Sequence, residues 1–189
     1  MNKLFKSTAA PFYADLHCKC HLISFYVIAS HLGPLHLCFT KEKHQQAIRD
    51  IKTLLPGIRK CDLTQEDISY CNELFRNVIT GQIEIPDFEK NPFLKAATKF
   101  QRKTWRKMCE INSGETITYG ELAAAVNSPQ GARAAGLACN KNPLALIIPC
   151  HRVIAAKGPG GFAADLSIKL KLLELESLGK SSTDKVSSA

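Results

Sequence analysis

What the 189-residue chain lacks narrows its class first. It has no apolar run of about 18 residues, the length a helix needs to cross a bilayer, so no membrane span is expected. Its start, MNKLFKSTAAPFYADLHCKCH, turns polar before a signal core develops and reads as not secreted. The eight cysteines (18, 20, 38, 61, 71, 109, 139 and 150) show no framework spacing, so reduced thiols in a cytoplasmic setting are expected rather than disulfides. Acidic residues are few: 17 Asp and Glu stand against 25 Lys and Arg, a formal charge of +8. The shortage is local. Residues 1–95 hold 12 basic against 10 acidic residues, whereas residues 96–189 hold 13 against 7, with all of that excess before residue 161. A basic second half suits a polyanionic partner, nucleic acid first, but charge alone leaves simple solubility an equal reading.

With 45% hydrophobic residues the chain has enough apolar material for one sizeable domain or two small ones. Residues 1–21 show no periodicity and read as a flexible segment. LISFYVIAS from Leu22 and LHLCFT read as two strands of an antiparallel hairpin, with Gly33-Pro34 as the turn. KEKHQQAIRDIKTLL has helical spacing and stops at Pro56-Gly57. A second helix opens at Thr64 and ends before Gly81, and QIEIPDF reads as a short edge strand. Residues 22–95 thus form a small α+β domain.

Residues 96–179 read as a mainly helical domain, followed by a disordered tail at 180–189. ATKFQRKTWRKMCEI is amphipathic. Thr118-Tyr-Gly-Glu121 fits a capping box for a short helix through LAAAV. A further helix is expected with Ser128 as N-cap and Pro129 at its first position, running to Cys139. Two short helices joined by a tight turn suggest a helix-turn-helix. The second carries one cation, Arg133, among Ala132, Ala134, Ala135, Gly136 and Ala138. Such a thin surface suits either close packing on a neighbour or insertion into a groove. LSIKLKLLELESL is the last helix, closed by Gly179.

The stretch IIPCHRV sets Cys150 beside His151 and Arg152 after the buried run LALII. A cysteine in an apolar run is ordinarily an inert small hydrophobe, the reading for Cys38, Cys61, Cys71, Cys109 and Cys139. Cys150 alone has an adjoining imidazole and guanidinium, either of which favours the thiolate. Orienting the imidazole needs a carboxylate, and Glu174 and Glu176 are the nearest downstream.

PCHRV, preceded by NKNPLALII and by the small-residue helix with its one Arg, resembles the O6-alkylguanine-DNA alkyltransferases, also called methylated-DNA–protein-cysteine methyltransferases. KFQRKTWRKMCEINSGETITYGELA is similar to the family's lead into its helix-turn-helix, and SFYVIASHLGPLHLCFT to its first hairpin. The resemblance implies the same α+β class, with duplex DNA containing an alkylated guanine as partner, no cofactor, and a monomer. It implies transfer of an alkyl group from O6 of guanine, or O4 of thymine, to Cys150 after base flipping. In it His151 is the base, Glu176 orients it, and Asn142 satisfies backbone groups at the hinge. Tyr119 and Arg133 act on the flipped nucleotide, with Thr118, Gly120 and Ala132 at the DNA and Val153, Ala163 and Cys139 around the base. The setting is the cytoplasm, or the nucleus in a eukaryote. One departure stands out: where the family commonly has a Gly-Gly pair, GGFAADLS has Ala164 and Asp165, implying a stiffer, more acidic pocket loop.

Two other readings stay open. One is a regulatory DNA-binding module in which Cys150 senses alkylation or oxidation without repair, of which a pure binder would keep its function in Cys150→Ser; the other is a Cys150–His151–Glu176 hydrolase, which would turn over without DNA. HCKCH at 17–21 crowds four ligand types into five residues, too compressed for one tetrahedral zinc, and no metal site is expected.

Overall fold

The computed structural model describes residues 12–20, 23–30, 33–60 and 65–184. The chain divides into two units. One comprises Met1–Leu74, Pro86–Ala97 and Pro143–Ala145; the other comprises Phe75–Ile85, Thr98–Asn142 and Leu146–Ala189. The division is not a single cut: Phe75–Ile85 and Pro143–Ala145 each fall in a different unit from the residues on either side of them.

The first unit is built on strands β1 (Phe12–Cys20), β2 (Ile23–Ser30) and β3 (Gly33–Cys38), helix α1 (Lys41–Leu54) and strand β4 (Arg59–Lys60). The sheet order is β3-β2-β1-β4, antiparallel except for the β1–β4 pair. The segment expected to be loose therefore contains a nine-residue strand. Its register on β2, from Ala14↔Ala29 to Cys20↔Ile23, supplies the order that its own aperiodic sequence does not. Within HCKCH, His17 stacks its ring on Tyr26 with centroids 4.5 Å apart, and His21 lies outside the described residues. Gly33 and Pro34 are not the turn but the start of β3, paired with Ser30 and Ala29. Pro34 is tolerated there because β3 is an edge strand with a register irregularity at Ile28/Ala29.

Burial alternates along β2 from Ile23 to Val27 and then becomes continuous. Ile28 joins Tyr13, Leu35, Ala47 and Ile51 in a core where one face of α1 meets the sheet. Thr40 caps α1, its hydroxyl accepting from the Lys43 amide, and the helix ends before Pro56-Gly57 as expected. Helix α2 (Gln65–Ile79) follows; the Thr64 cap lies outside the described residues. Residues 82–87 form no strand: Pro86 withholds a donor, and Ile85 stays 62% exposed with nothing to pair against. Asn91 instead starts a one-turn helix, α3 (Pro92–Lys95). Its carboxamide oxygen accepts from Phe93 and Leu94 while its NH2 donates to the Pro34 and Leu35 carbonyls.

The second unit begins with α4 (Lys99–Met108), closed at its start by a Thr98–Gln101 capping box. Strand β5 (Ile117–Thr118) leads into α5 (Tyr119–Ala125) through the expected Thr118–Glu121 capping box. Helix α6 (Ala132–Asn140) starts three residues later than Ser128 and Pro129 suggested. The Ser128 carbonyl accepts from Gly131 at 2.7 Å, making a turn that only glycine closes, because a Cβ at 131 would strike the Ser128 side chain and carbonyl. After a 3-10 turn at Cys150–Arg152, strand β6 (Val153–Ile154) pairs in parallel with β5. Helix α7 (Leu166–Asp184) runs through Gly179, so neither the glycine stop nor disorder from residue 180 holds over the described residues. A mid-helix glycine costs only about 1 kcal/mol, which ends a helix only when nothing else sustains it.

Candidate active site

Pro149 determines how Cys150 is presented. Its φ of −79° and ψ of 65° make an inverse γ-turn, with the Cys150 amide donating to the Ile148 carbonyl at 2.8 Å. The apolar run ends there, and Cys150 opens the 3-10 turn with 4% of its surface exposed. Asn142 braces the same carbonyl, its NH2 donating at 2.7 Å. Between them Leu146 holds φ at 74°, a strained value for a leucine that its full burial sustains.

His151 and Glu176 meet as the resemblance implied, Nε2 to Oε1 at 2.8 Å, both buried. Burial pushes the His151 pKa down, against the pull of Glu176, and so favours neutral imidazole. With Nε2–H donating to the carboxylate, the lone pair lies on Nδ1, which has no hydrogen-bond partner among the described residues. Burial alone would raise the Glu176 carboxyl, but hydrogen bonds from His151 and Arg152 outweigh it and hold the pKa at about 2. Arg152 donates to both Glu176 oxygens through Nε and again through a terminal nitrogen at 2.7 Å. Its remaining donors reach the Ile111 and Val78 carbonyls. The guanidinium that adjoins Cys150 in sequence is thus committed to Glu176, whose Oε2 also accepts from the Gly114 amide.

Above Cys150 lies a cavity of about 350 Å³. Tyr119, Ala132, Arg133, Cys139, Cys150 and Ala163 all line it, together with Gly136, Leu137, Asn140, Gly161 and Phe162. The β5–β6 pair explains how Tyr119, some 30 positions upstream, comes to this place: Thr118 is paired with Ile154, just beyond the Cys150 turn. The Tyr119 hydroxyl donates to the Gly161 carbonyl at 3.0 Å, and burial, then Cys139 and Cys150, raises its pKa to about 12. Gly160, at φ 72°, allows that approach; a Cβ there would come within 2.9 Å of the Tyr119 ring and of the Ala155 nitrogen.

Four further residues singled out in the sequence are placed as follows. Val153 does not line the cavity; its side chain is fully buried, and its carbonyl accepts from Lys169. Thr118, whose hydroxyl caps α5, and Gly120, in the first turn of that helix, were expected at the DNA rather than in the cavity, and neither lines it. Asp165, expected to acidify the pocket loop, caps α7 instead, accepting from the Ser167 amide at 2.8 Å.

Sequence reasoning missed Lys169. Its ammonium is buried, donates to Val153 at 2.6 Å and Gly161 at 3.2 Å, and lies 5.8 Å from the Tyr119 ring centre. Burial lowers its pKa while attraction to Cys150 and Cys139 opposes the shift, so Lys169 and a Cys150 thiolate stabilise one another. The signal was present: Lys169, Leu172 and Glu176 are the buried positions of α7 at spacing i, i+3, i+7. Cys139, buried with its thiol donating to Met108 sulfur at 3.6 Å, has a pKa raised by that burial and then by Cys150.

Residues 99–178 match the family profile described as 6-O-methylguanine DNA methyltransferase, DNA binding domain. The methylated-DNA–protein-cysteine methyltransferase of Methanosarcina acetivorans is 52% identical over 159 residues, 80% of this chain and 97% of that protein. The protein of the same name from Methanosarcina mazei is 38% identical over 145 residues, 76% of this chain and 84% of that one. Among solved structures, Mycobacterium tuberculosis OGT in complex with DNA superposes with a TM-score of 0.62 at 27% identity, covering 89% of this chain and 94% of that one. The O6-methylguanine-DNA methyltransferase of Pyrococcus kodakaraensis, at 23% identity and a TM-score of 0.58, shares the fold over 87% of this chain and 98% of that one. With relatives this similar over nearly their whole length, and a buried Cys-His-Glu arrangement at the matching motif, the chain belongs to the methylated-DNA–protein-cysteine methyltransferase family, the enzymes that move a methyl group from DNA to a protein cysteine.

Proposed function

We propose that the protein repairs duplex DNA by moving the alkyl group of an O6-alkylguanine onto Cys150, once per molecule. The observation that carries this reading is the buried thiol under a 350 Å³ cavity, with a neutral imidazole, a carboxylate and a buried ammonium around it. His151 takes the thiol proton at Nδ1, directly or through one water, and Glu176 stabilises the imidazolium that forms. The thiolate attacks the alkyl carbon; the S–C bond forms as the C–O bond breaks, and the electron pair leaves with the guanine oxygen. A proton from Tyr119 or water neutralises the departing purine. The thioether does not hydrolyse, so there is no turnover and no cofactor.

An intrahelical base cannot reach a thiol at a cavity floor, so the nucleotide must rotate out of the stack. That costs a few kcal/mol, and less for a lesion that pairs poorly. Helix α6 suits a minor groove: Ala132, Gly136 and Leu137 are slim or apolar, and Arg133 fills the space the base leaves. O4-alkylthymine fits the same chemistry, and cytoplasmic or nuclear residence follows from a DNA substrate.

Intact-mass measurement after mixing with a duplex containing one O6-methylguanine tests the reading. A gain of about 14 Da on the Cys150 peptide, lost in Cys150→Ser, is expected. An unmodified protein that still binds the duplex would indicate a sensor instead; one that ignores DNA would indicate the hydrolase.

A further inference from the structure

Lys169 is a buried cation without an acid: its side chain is withdrawn from solvent, and among the described residues no carboxylate pairs with it. An ammonium taken out of water without a counter-ion is costly. This one also lies one turn into α7, near the end where the helix dipole disfavours a cation. Its partners are two main-chain carbonyls, Val153 at 2.6 Å and Gly161 at 3.2 Å, and they stand at the two ends of one loop. The chain leaves β6 after Ile154, has neither helix nor strand from Ala155 to Asp165, and turns through Gly158 and Gly160 at φ 89° and 72°. Where it comes back, Gly161, Phe162 and Ala163 form one wall of the cavity over Cys150. A single ammonium thus closes this loop at its base.

The Gly161 carbonyl has a second donor, the Tyr119 hydroxyl at 3.0 Å, and a carbonyl oxygen has the two lone pairs to accept both. The Tyr119 ring is confined as well. A Cβ on Gly160 would stand 2.9 Å from it and one on Gly136 3.8 Å, while the Lys169 ammonium lies 5.8 Å from its centre. We propose that Lys169 is a positioning residue for alkyl transfer: by tying Val153 to Gly161 it fixes the carbonyl against which Tyr119 is set, and with it the cavity wall beside the purine. The kinetic consequence rests on the repair reading, in which Tyr119 or water gives a proton to the departing purine. For that step the hydroxyl turns from Gly161 toward the purine, and Lys169 keeps the carbonyl satisfied while it does so. Simple anchoring of α7 accounts for the buried aliphatic stem but not for the charge, since an apolar side chain of the same length fills the space without desolvating an ion.

The experiment compares the wild-type chain with Lys169→Met, which keeps the apolar stem but neither donor nor charge, alone and combined with Tyr119→Phe. With a saturating duplex carrying one O6-methylguanine, single-turnover transfer should be about tenfold slower in Lys169→Met. Affinity for the unmodified duplex should be unchanged, because Arg133 and the outer face of α6 lie outside the staple. In the Tyr119→Phe background the same substitution should slow transfer by less than about threefold, since both side chains act through one carbonyl. Hydrogen exchange of the peptide spanning residues 154–163 should quicken by about tenfold in Lys169→Met while that of α4 stays as in the wild type, which also shows that the variant folds. Equal slowing in the two backgrounds, transfer at the wild-type rate, or unchanged exchange over 154–163 overturns the inference. Should the Met variant not fold, Lys169→Gln, with a shorter uncharged donor, is read in the same way. If the wild type gains no mass, the repair reading fails, and the exchange over 154–163 then decides by itself whether Lys169 holds the loop.

Discussion

Glu176 is the residue on which most of the site's hydrogen bonds converge: it accepts from His151, from Arg152 and from the Gly114 amide, with none of its surface exposed. Replacing it with Gln keeps the shape but leaves the Arg152 guanidinium buried without a counter-charge. Removing one member of a buried ion pair ordinarily costs about 3–5 kcal/mol. We therefore expect Glu176→Gln to lower the melting temperature by about 6 °C or more. Alkyl transfer should slow by about a hundredfold as His151 loses its orienting carboxylate. A single-turnover rate within a few-fold of wild type would show that His151 is aligned by something other than Glu176. Lys169 shows the opposite balance: a buried cation whose hydrogen-bond partners are two main-chain carbonyls, with burial lowering its pKa and Cys150 and Cys139 opposing that shift.

Among elements, the α5–α6 turn is the least forgiving. Asn127 sits at φ 63°, in the left-handed region that asparagine enters at little cost and β-branched residues avoid. Asn127→Val is expected to cost about 1–2 kcal/mol in urea unfolding, whereas Asn127→Gly should change stability by less than about 1 kcal/mol. Equal effects of the two would mean that the turn relaxes to another geometry. This element was only partly legible. Thr118-Tyr-Gly-Glu121 announced α5 correctly, because a capping box is a local contract between side chain and backbone. Ser128-Pro129 announced α6 too early, because the delay comes from a turn closed onto Gly131, a contact that no propensity records.

At the scale of the whole molecule, acid is the expected weakness. His36 is buried beside Phe93, and burial, then His44 and Lys43, brings its pKa from 6.5 to about 3. His151 is lowered as well, and Glu176 lies at about 2. All three bind protons more readily in the unfolded chain, so the sign is common. The His36 contribution is complete above pH 6.5 and is lost as pH falls toward 3; that of Glu176 fades from 4.5 toward 2. For His36 the gap amounts to up to about 5 kcal/mol. The unfolding free energy should thus decline steadily below pH 6.5, and His36→Leu should flatten the decline between pH 6 and 4. An unchanged acid limb in that variant would assign the loss to other groups.

The sequence alone determined what local chemistry can determine. Pro149 presents the cysteine, Thr118 and Thr40 start their helices, the 3.6-residue period marks α1 and α4, and PCHRV with Asn142 and Arg133 identifies the family. Those signals act within a few residues, where steric and hydrogen-bonding rules need no distant partner. Tertiary structure alone decided what depends on partners remote in the chain. It ordered β1 by pairing it with β2, left residues 82–87 without a strand, moved Val153 out of the cavity lining and made Asp165 a helix cap. It also supplies the reason for Glu176 rather than Glu174, the choice the resemblance had implied: the two lie two residues apart on α7, which a helix turns to different sides, and Glu176 faces the buried histidine.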